Sequence, residues 1–218
     1  MPAANRIPHT QALSRLPSPT ANLNQPSSFV RSRKQDYENY LCILFFPRHL
    51  QPAQYALRAF NAEIASVRES VSDPIIGKMR MQFWKNTIDQ VFAKKPPQQP
   101  IAIALTSALE TCSLSSLWFK RIITERESNF EDPQYMTIKD VETYAENTAS
   151  ALLYLQLESL GVRDVSVDHA ASHLGKAIGI ATLLRALPFH ASRRRLVLPA
   201  QVTAKVCSFV MTHDETMH

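Results

Sequence analysis

From Asp36 onward apolar side chains recur every three or four residues, the period of a helix with one face turned to a core. Tyr37, Tyr40, Leu41 and Leu44 predict a short helix that stops at Pro47, and Leu57, Phe60, Ile64 and Val67 predict a second over about 52–71. Asp73 followed by Pro74 is a helix start, because the carboxylate can accept from the first free N–H groups and proline lacks one that would go unused. Met79, Phe83, Ile88 and Val91 carry that helix to Lys94-Lys95-Pro96-Pro97. Shorter helices are expected over 99–111 and 114–130, the latter apolar through Leu117, Trp118, Ile122 and Ile123. Thr137 with Asp140 forms a capping box that opens a long helix through Tyr144, Leu152 and Leu155, with Gly161 ending it. A last helix is expected over 168–187, ending near Pro188. No segment alternates with the period of a strand, and no internal repeat is visible. The pattern predicts an all-α fold of antiparallel helices around a common core.

The 218 residues are 45% hydrophobic, enough to bury such a core without disulfides or metal. Only 4 are glycine, and neither G-x-G-x-x-G nor G-x-x-x-x-G-K-[ST] occurs, which argues against a backbone cradle for a pyrophosphate. Cys42, Cys112 and Cys207 are far apart and form no C-x-x-C pair, so they read as reduced thiols. The longest wholly apolar run, Leu41 to Phe46, is far short of the roughly 20 residues of a membrane span.

Charge separates the chain into two parts. Residues 1–35 hold Arg6, Arg15, Arg31, Arg33 and Lys34 and no acid, which leaves 19 of the 24 basic residues against all 19 acidic ones in the rest. A body without excess charge lacks the electrostatic attraction that dominates nucleic-acid binding, so no nucleic-acid partner is expected. The leader is rich in Pro, Ser, Asn and Gln and is expected to be disordered. Its acid-free basic composition also fits a mitochondrial transit peptide.

Candidate chemistry is sparse. His169 and His173 stand four apart beside Asp168, a zinc-ligand spacing that equally fits partly buried polar residues near a helix start. Glu127 and Glu131 lie a turn apart, but Arg126, Asn129 and Pro133 around them read as a solvated helix end. Arg193-Arg194-Arg195 is suited to a phosphate, an acidic lipid or an acidic protein face, or is a solvated connection.

Five segments in order, Leu57 to Ala65, Met79 to Lys85, Tyr144 to Thr148, Gly175 to Arg185 and Arg195 to Pro199, resemble the squalene/phytoene synthase family in spacing over about residues 36–199. The resemblance implies an antiparallel helical bundle of the isoprenoid synthase type. Active members of that family carry two facing aspartate-rich motifs whose carboxylates hold Mg²⁺ on a substrate diphosphate. Here the first motif falls on Ala62-Glu63-Ile64-Ala65-Ser66, leaving Glu63, and the second on Ala186-Leu187-Pro188-Phe189-His190 after Arg185, leaving no acid. The resemblance therefore implies lost catalysis, no metal or cofactor, and a vestigial cavity bordered by Glu63, Arg185, Phe60, Trp84 and Tyr144. Phe83 and Trp84 are expected as core bulk. Glu63 and Arg185 are expected either to pair with each other or to hold a polar ligand.

The sequence is more similar still to a non-catalytic mitochondrial branch of the family that assists assembly of respiratory complex I. That likeness implies complex I subunits or assembly intermediates as partners, peripheral contact with the inner membrane, and a place on its matrix side. The alternative is a residual transferase acting on an isoprenoid diphosphate, which would need Glu127 or Glu131 to converge on Glu63. Residues 200–218 do not resemble the family's continuation, so the expected bundle is incomplete at its C-terminal side. Leu174, Ile178, Ala181 and Leu184 are then expected to be exposed.

Overall fold

A computed structural model of the chain describes residues 36–130 and 134–205. The leader 1–35, Glu131 and the tail beyond residue 205 lie outside the described residues. The elements are α1 (Tyr37–Ile43), α2 (Gln51–Ser70), α3 (Pro74–Phe92), α4 (Pro100–Thr111), α5 (Ser116–Ser128), α6 (Ile138–Ala145), a π-helical turn (Glu146–Ser150), α7 (Ala151–Ser159), α8 (Val165–Arg185) and α9 (Leu187–Ser192). No strand occurs among the described residues.

Helix boundaries follow the local chemistry that announces them. Asp73 accepts from the Ile75 N–H at 2.8 Å, with Pro74 at the first turn of α3. Thr137 and Asp140 bond reciprocally, at 3.2 and 2.8 Å, and open α6. After α7, Gly161 adopts φ 73°, a left-handed conformation that a Cβ disfavours, and the chain turns back with the Val162 N–H on the Leu157 carbonyl at 3.0 Å. The start of α8 is three residues earlier than the pattern suggested. Asp164, not a residue near Asp168, is its cap and accepts from the N–H of Ser166 at 2.7 Å.

The core is built where α2 packs on α3, α4 and α7, and α5 packs on α3 and α7. Phe60 is fully buried, with its ring edge-on to Trp84 at 5.8 Å and to Phe119 at 5.2 Å. On α3 the buried stripe is Met81, Trp84, Ile88 and Val91, whereas Phe83 and Met79 are turned outward. The expectation of Phe83 as core is corrected: the inward stripe of α3 runs through Met81, Trp84, Ile88 and Val91, and Phe83 lies to one side of it with half its surface exposed. Within the apolar seam between α2 and α7, Gln54 donates to the Ser159 hydroxyl at 2.5 Å and accepts from the Gln156 amide at 2.9 Å. Arg58 reaches the Gln156 oxygen at 3.3 Å and lies 3.8 Å from Asp36. Such a network is favourable only when its members are all in place, because a stranded buried amide costs about 1–3 kcal/mol.

The long helix expected from Thr137 to Gly161 is interrupted: Glu146–Ser150 forms a π turn between α6 and α7. A π turn swells the backbone by one residue and needs compensation from packing. Here α8 supplies it by presenting Gly175 and Gly179. A Cβ on Gly175 would lie 2.6 Å from the Ser150 backbone nitrogen, and one on Gly179 would lie 2.6 Å from the Ala145 Cβ. Gly175→Ala should therefore lower stability, by about 1–3 kcal/mol, although the same change in an open helix gains up to about 1 kcal/mol. Urea denaturation decides this, and an unchanged or raised midpoint would contradict the close contact.

Candidate functional site

The π turn places one carboxylate at the meeting of three elements. Glu146 accepts from the Tyr154 hydroxyl on α7 at 2.7 Å and from the Ser172 hydroxyl on α8 at 2.7 Å, with the Lys176 ammonium 3.6 Å away. Burial pushes the Glu146 carboxyl up, but the bonds from Ser172 and Tyr154 and the Lys176 charge outweigh it and the net shift is downward. The partner hydroxyl of Tyr154 is raised to about 12, by burial first and then by its bond to the carboxylate. Next to Glu146, Asn147 donates to Glu125 at 2.7 Å and joins α5 to the same turn. Glu146 stands within a segment the sequence singles out, yet its role is invisible there because its partners come from 8 and 26 residues away.

A second polar group lies where α2 and α5 meet beside Tyr135 and Tyr144. Arg126 is half-buried with its Nε enclosed, which corrects the reading of its surroundings as a solvated helix end. Its guanidinium bonds the Asn61 carbonyl at 3.1 Å and the Asn61 side-chain oxygen at 2.8 Å, and its Nε is buried without a partner. Burial lowers its pKa, against the opposing influence of Tyr144 and Tyr135, whose rings pack at 5.7 Å. An arginine nonetheless stays charged. Burial likewise raises the Tyr135 hydroxyl.

On the last turn of α2, Glu69 bonds both Arg193 and, at 2.8 Å, Arg195. The turn between them is made by Arg194 in a left-handed conformation, φ 55°, which costs a non-glycine residue about 1 kcal/mol. The Arg195 N–H donates to the His190 carbonyl at 2.9 Å. The buried His190 Nδ1 has no partner, and burial followed by the Arg195 and Arg68 charges lowers the imidazole pKa.

The five residues expected around one cavity are distributed differently. Phe60 and Trp84 are core, Tyr144 is half-buried against Tyr135, and Glu63 is half-buried on α2. Arg185 is exposed and pairs with Glu38 of α1 at 2.9 Å, so the expected Glu63–Arg185 pair is corrected: the guanidinium leaves α8 on the side where α1 crosses. Glu127 bonds Lys85 at 2.5 Å. His169 and His173 stand on the surface of α8 with their Nε2 atoms 3.4 Å apart. Among the described residues no three metal-binding side chains gather, and the stretches 62–66 and 186–190 offer Glu63 as their only carboxylate. That donor set does not fit Mg²⁺, which requires several hard oxygen ligands.

An apolar groove of about 190 Å³ opens beside the C-terminal part of α8, lined by Ile138, Val141, Ile180, Leu184, Leu187 and Val197 among others. Along the same helix Leu174, Ile178 and Leu184 are 55%, 43% and 50% exposed. Ala181 is exposed with them. No helix among the described residues is long and apolar enough to cross a membrane.

The squalene/phytoene synthase family model matches residues 32–209. A rat protein named complex I assembly factor 6 is 50% identical over 201 residues, 90% of this chain and 60% of its own length. The human protein of the same name is 52% identical over 170 residues, 78% of this chain and 51% of its own length. The chain thus spans about half to three fifths of these relatives. A dehydrosqualene synthase crystal structure superposes with a TM-score of 0.70 at 20% identity, covering 82% of this chain and 62% of that one. The helical fold is of that type.

The charged knot at the π turn makes a pH-dependent prediction. Because the Glu146 pKa is lowered in the folded chain, its stabilisation is present above the ordinary value of 4.5 and is lost as pH falls through the folded value. Glu146→Gln should destabilise by about 1.5–3 kcal/mol near neutrality, with the gap from the parent closing in acid. Denaturation series from about pH 7 to about pH 3 measure the gap, and one that stays constant would sink the assignment.

Proposed function

Since the chain belongs to the squalene/phytoene synthase family, we propose that it acts as an assembly factor for mitochondrial respiratory complex I, by binding rather than by catalysis. The observation that carries this reading is the 50% identity to the rat relative of that name over most of the chain. The chemistry of the residues agrees with it. The family's two acidic motifs correspond to 62–66 and 186–190, where Glu63 alone remains, and one carboxylate cannot neutralise the metals that carry a departing diphosphate. The bound partner is a hydrophobic segment of a membrane-arm subunit or of an assembly intermediate. The groove beside Leu184 and Val197 and the exposed Leu174–Ile178 face are the surfaces suited to it. We place the chain on the matrix side of the inner membrane, delivered by residues 1–35, with the folded body over 36–199 and a tail over 200–218, of which 200–209 still fall within the family match.

Two measurements test this reading. A tagged chain isolated from detergent-solubilised mitochondria should bring complex I subunits with it. Recovery from the cytosolic fraction would overturn the localisation, and recovery from mitochondria without any complex I subunit would overturn the function. The purified chain with Mg²⁺ should release no diphosphate from farnesyl or geranylgeranyl diphosphate. Turnover that Glu63→Ala abolishes would restore the enzymatic alternative.

A further inference from the structure

On the outer side of α8 two imidazoles face one another. His169 and His173 stand one turn apart, so both side chains leave the helix on the same side, and both are exposed. Their Nε2 atoms are 3.4 Å apart, and their rings meet edge-on with centroids 4.6 Å apart. That separation is long for a hydrogen bond between nitrogens, whose usual range ends at about 3.2 Å. It matches the edge of a tetrahedron around zinc: two nitrogens about 2.0–2.1 Å from one ion and about 109° apart are separated by about 3.3–3.4 Å. The carboxylates of this end of α8 are engaged elsewhere. Asp164 caps the helix through Ser166 and Val167, the charge of Asp168 is felt at Tyr154 on α7, and Glu146 is committed to Tyr154, Ser172 and Lys176. Ala170 and Ala177 flank the pair and are exposed, so no bulky side chain at those positions covers its approach.

We infer that His169 and His173 form an open binding site for a late divalent transition-metal ion, Zn²⁺ or Cu²⁺, with two protein ligands and the remaining positions left to water or to a side chain of another protein. Imidazole suits these ions and not Mg²⁺, which takes hard oxygen ligands, so the site differs in chemistry as well as in place from the depleted acidic motifs. The helix fixes the spacing of the two rings, so binding costs mainly the freedom of two side chains. The pair borders Leu174 and Ile178, exposed on the same helix. An ion held here stands at the rim of an apolar surface and can take a histidine, cysteine or carboxylate from a protein lying on it. The site is independent of the assembly-factor reading: a chain that binds no complex I subunit would still bind the ion.

Zn²⁺ titrated into the full, untagged chain against a chromophoric chelator should show a saturable site that excess Mg²⁺ does not compete for. His169→Ala and His173→Ala should each weaken it by on the order of 100-fold, because losing one arm removes the gain of chelation. Both side chains are exposed, so the variants keep the fold, which circular dichroism checks. Combining His173→Ala with Leu174→His keeps the number of histidines but turns one ligand by about 100° around the helix, and should bind as weakly as His173→Ala alone. Electron paramagnetic resonance of the Cu²⁺-loaded chain should report two nitrogen ligands in the parent and fewer in either single variant. Added imidazole should raise the parent's count, as an open coordination sphere requires. No saturable binding, binding that survives the loss of both histidines, or binding restored by Leu174→His would overturn the site, and a parent spectrum that imidazole leaves unchanged would overturn its openness.

Discussion

Two helix backbones can approach this closely only where no Cβ stands between them, and the seam between α8 and the π turn is of that kind. Gly175 and Gly179 lie flat on Ser150 and Ala145, and the swollen turn they accommodate is the same one that carries Glu146. Its carboxylate draws in Tyr154, Ser172 and Lys176, so the contact that sterics permit is also held by charge. Steric closeness and ionic closure depend on one another: without the glycines the carboxylate would stand away from Ser172, and without the carboxylate the buried hydroxyls would lose their acceptor. The groove beside α8 inherits its position from this seam, because α6 and α8 enclose it from either side.

The charge of the described chain is organised by depth. A half-buried cation, Arg126, is held by the side-chain oxygen and the carbonyl of Asn61 rather than by an acid, with its Nε left without a partner. The acids that might have faced it are committed elsewhere, Glu127 to Lys85 and Glu125 to Asn147.

Much of this was legible in the sequence where the cause is local. Asp73-Pro74, Thr137 with Asp140 and Gly161 each set a boundary by chemistry within four residues, and the structure puts the boundaries there. The expected exposure of Leu174, Ile178 and Leu184 is also found. The π turn was not legible, because an uninterrupted α-helical pattern runs through Glu146–Ser150 and the reason for the break lies on α8. Of the candidate site, Phe60 and Trp84 carry no mark that distinguishes a cavity wall from a core. Arg185 went to Glu38, 147 residues away in sequence, and no spacing rule reaches so far. Arg126 was misread because its neighbours are polar, while its depth is set by α2 across from it.

The Gln54 network has a consequence in time. Gln54 is made about a hundred residues before its partners, since Gln156 and Ser159 follow by 102 and 105 positions. At synthesis rates of about 5–20 residues per second, that separation is an interval of roughly 5–20 s. Through that interval the inner face of α2 carries an amide that cannot be dried without loss, alongside Leu57 and Phe60, which water disfavours. The nascent helix can neither collapse fully nor stay comfortably exposed. Its early partners α3 and α4 cover the apolar residues, but the amide has no buried partner until α7 is made, so the seam between α2 and α7 cannot close before residues 151–159 exist.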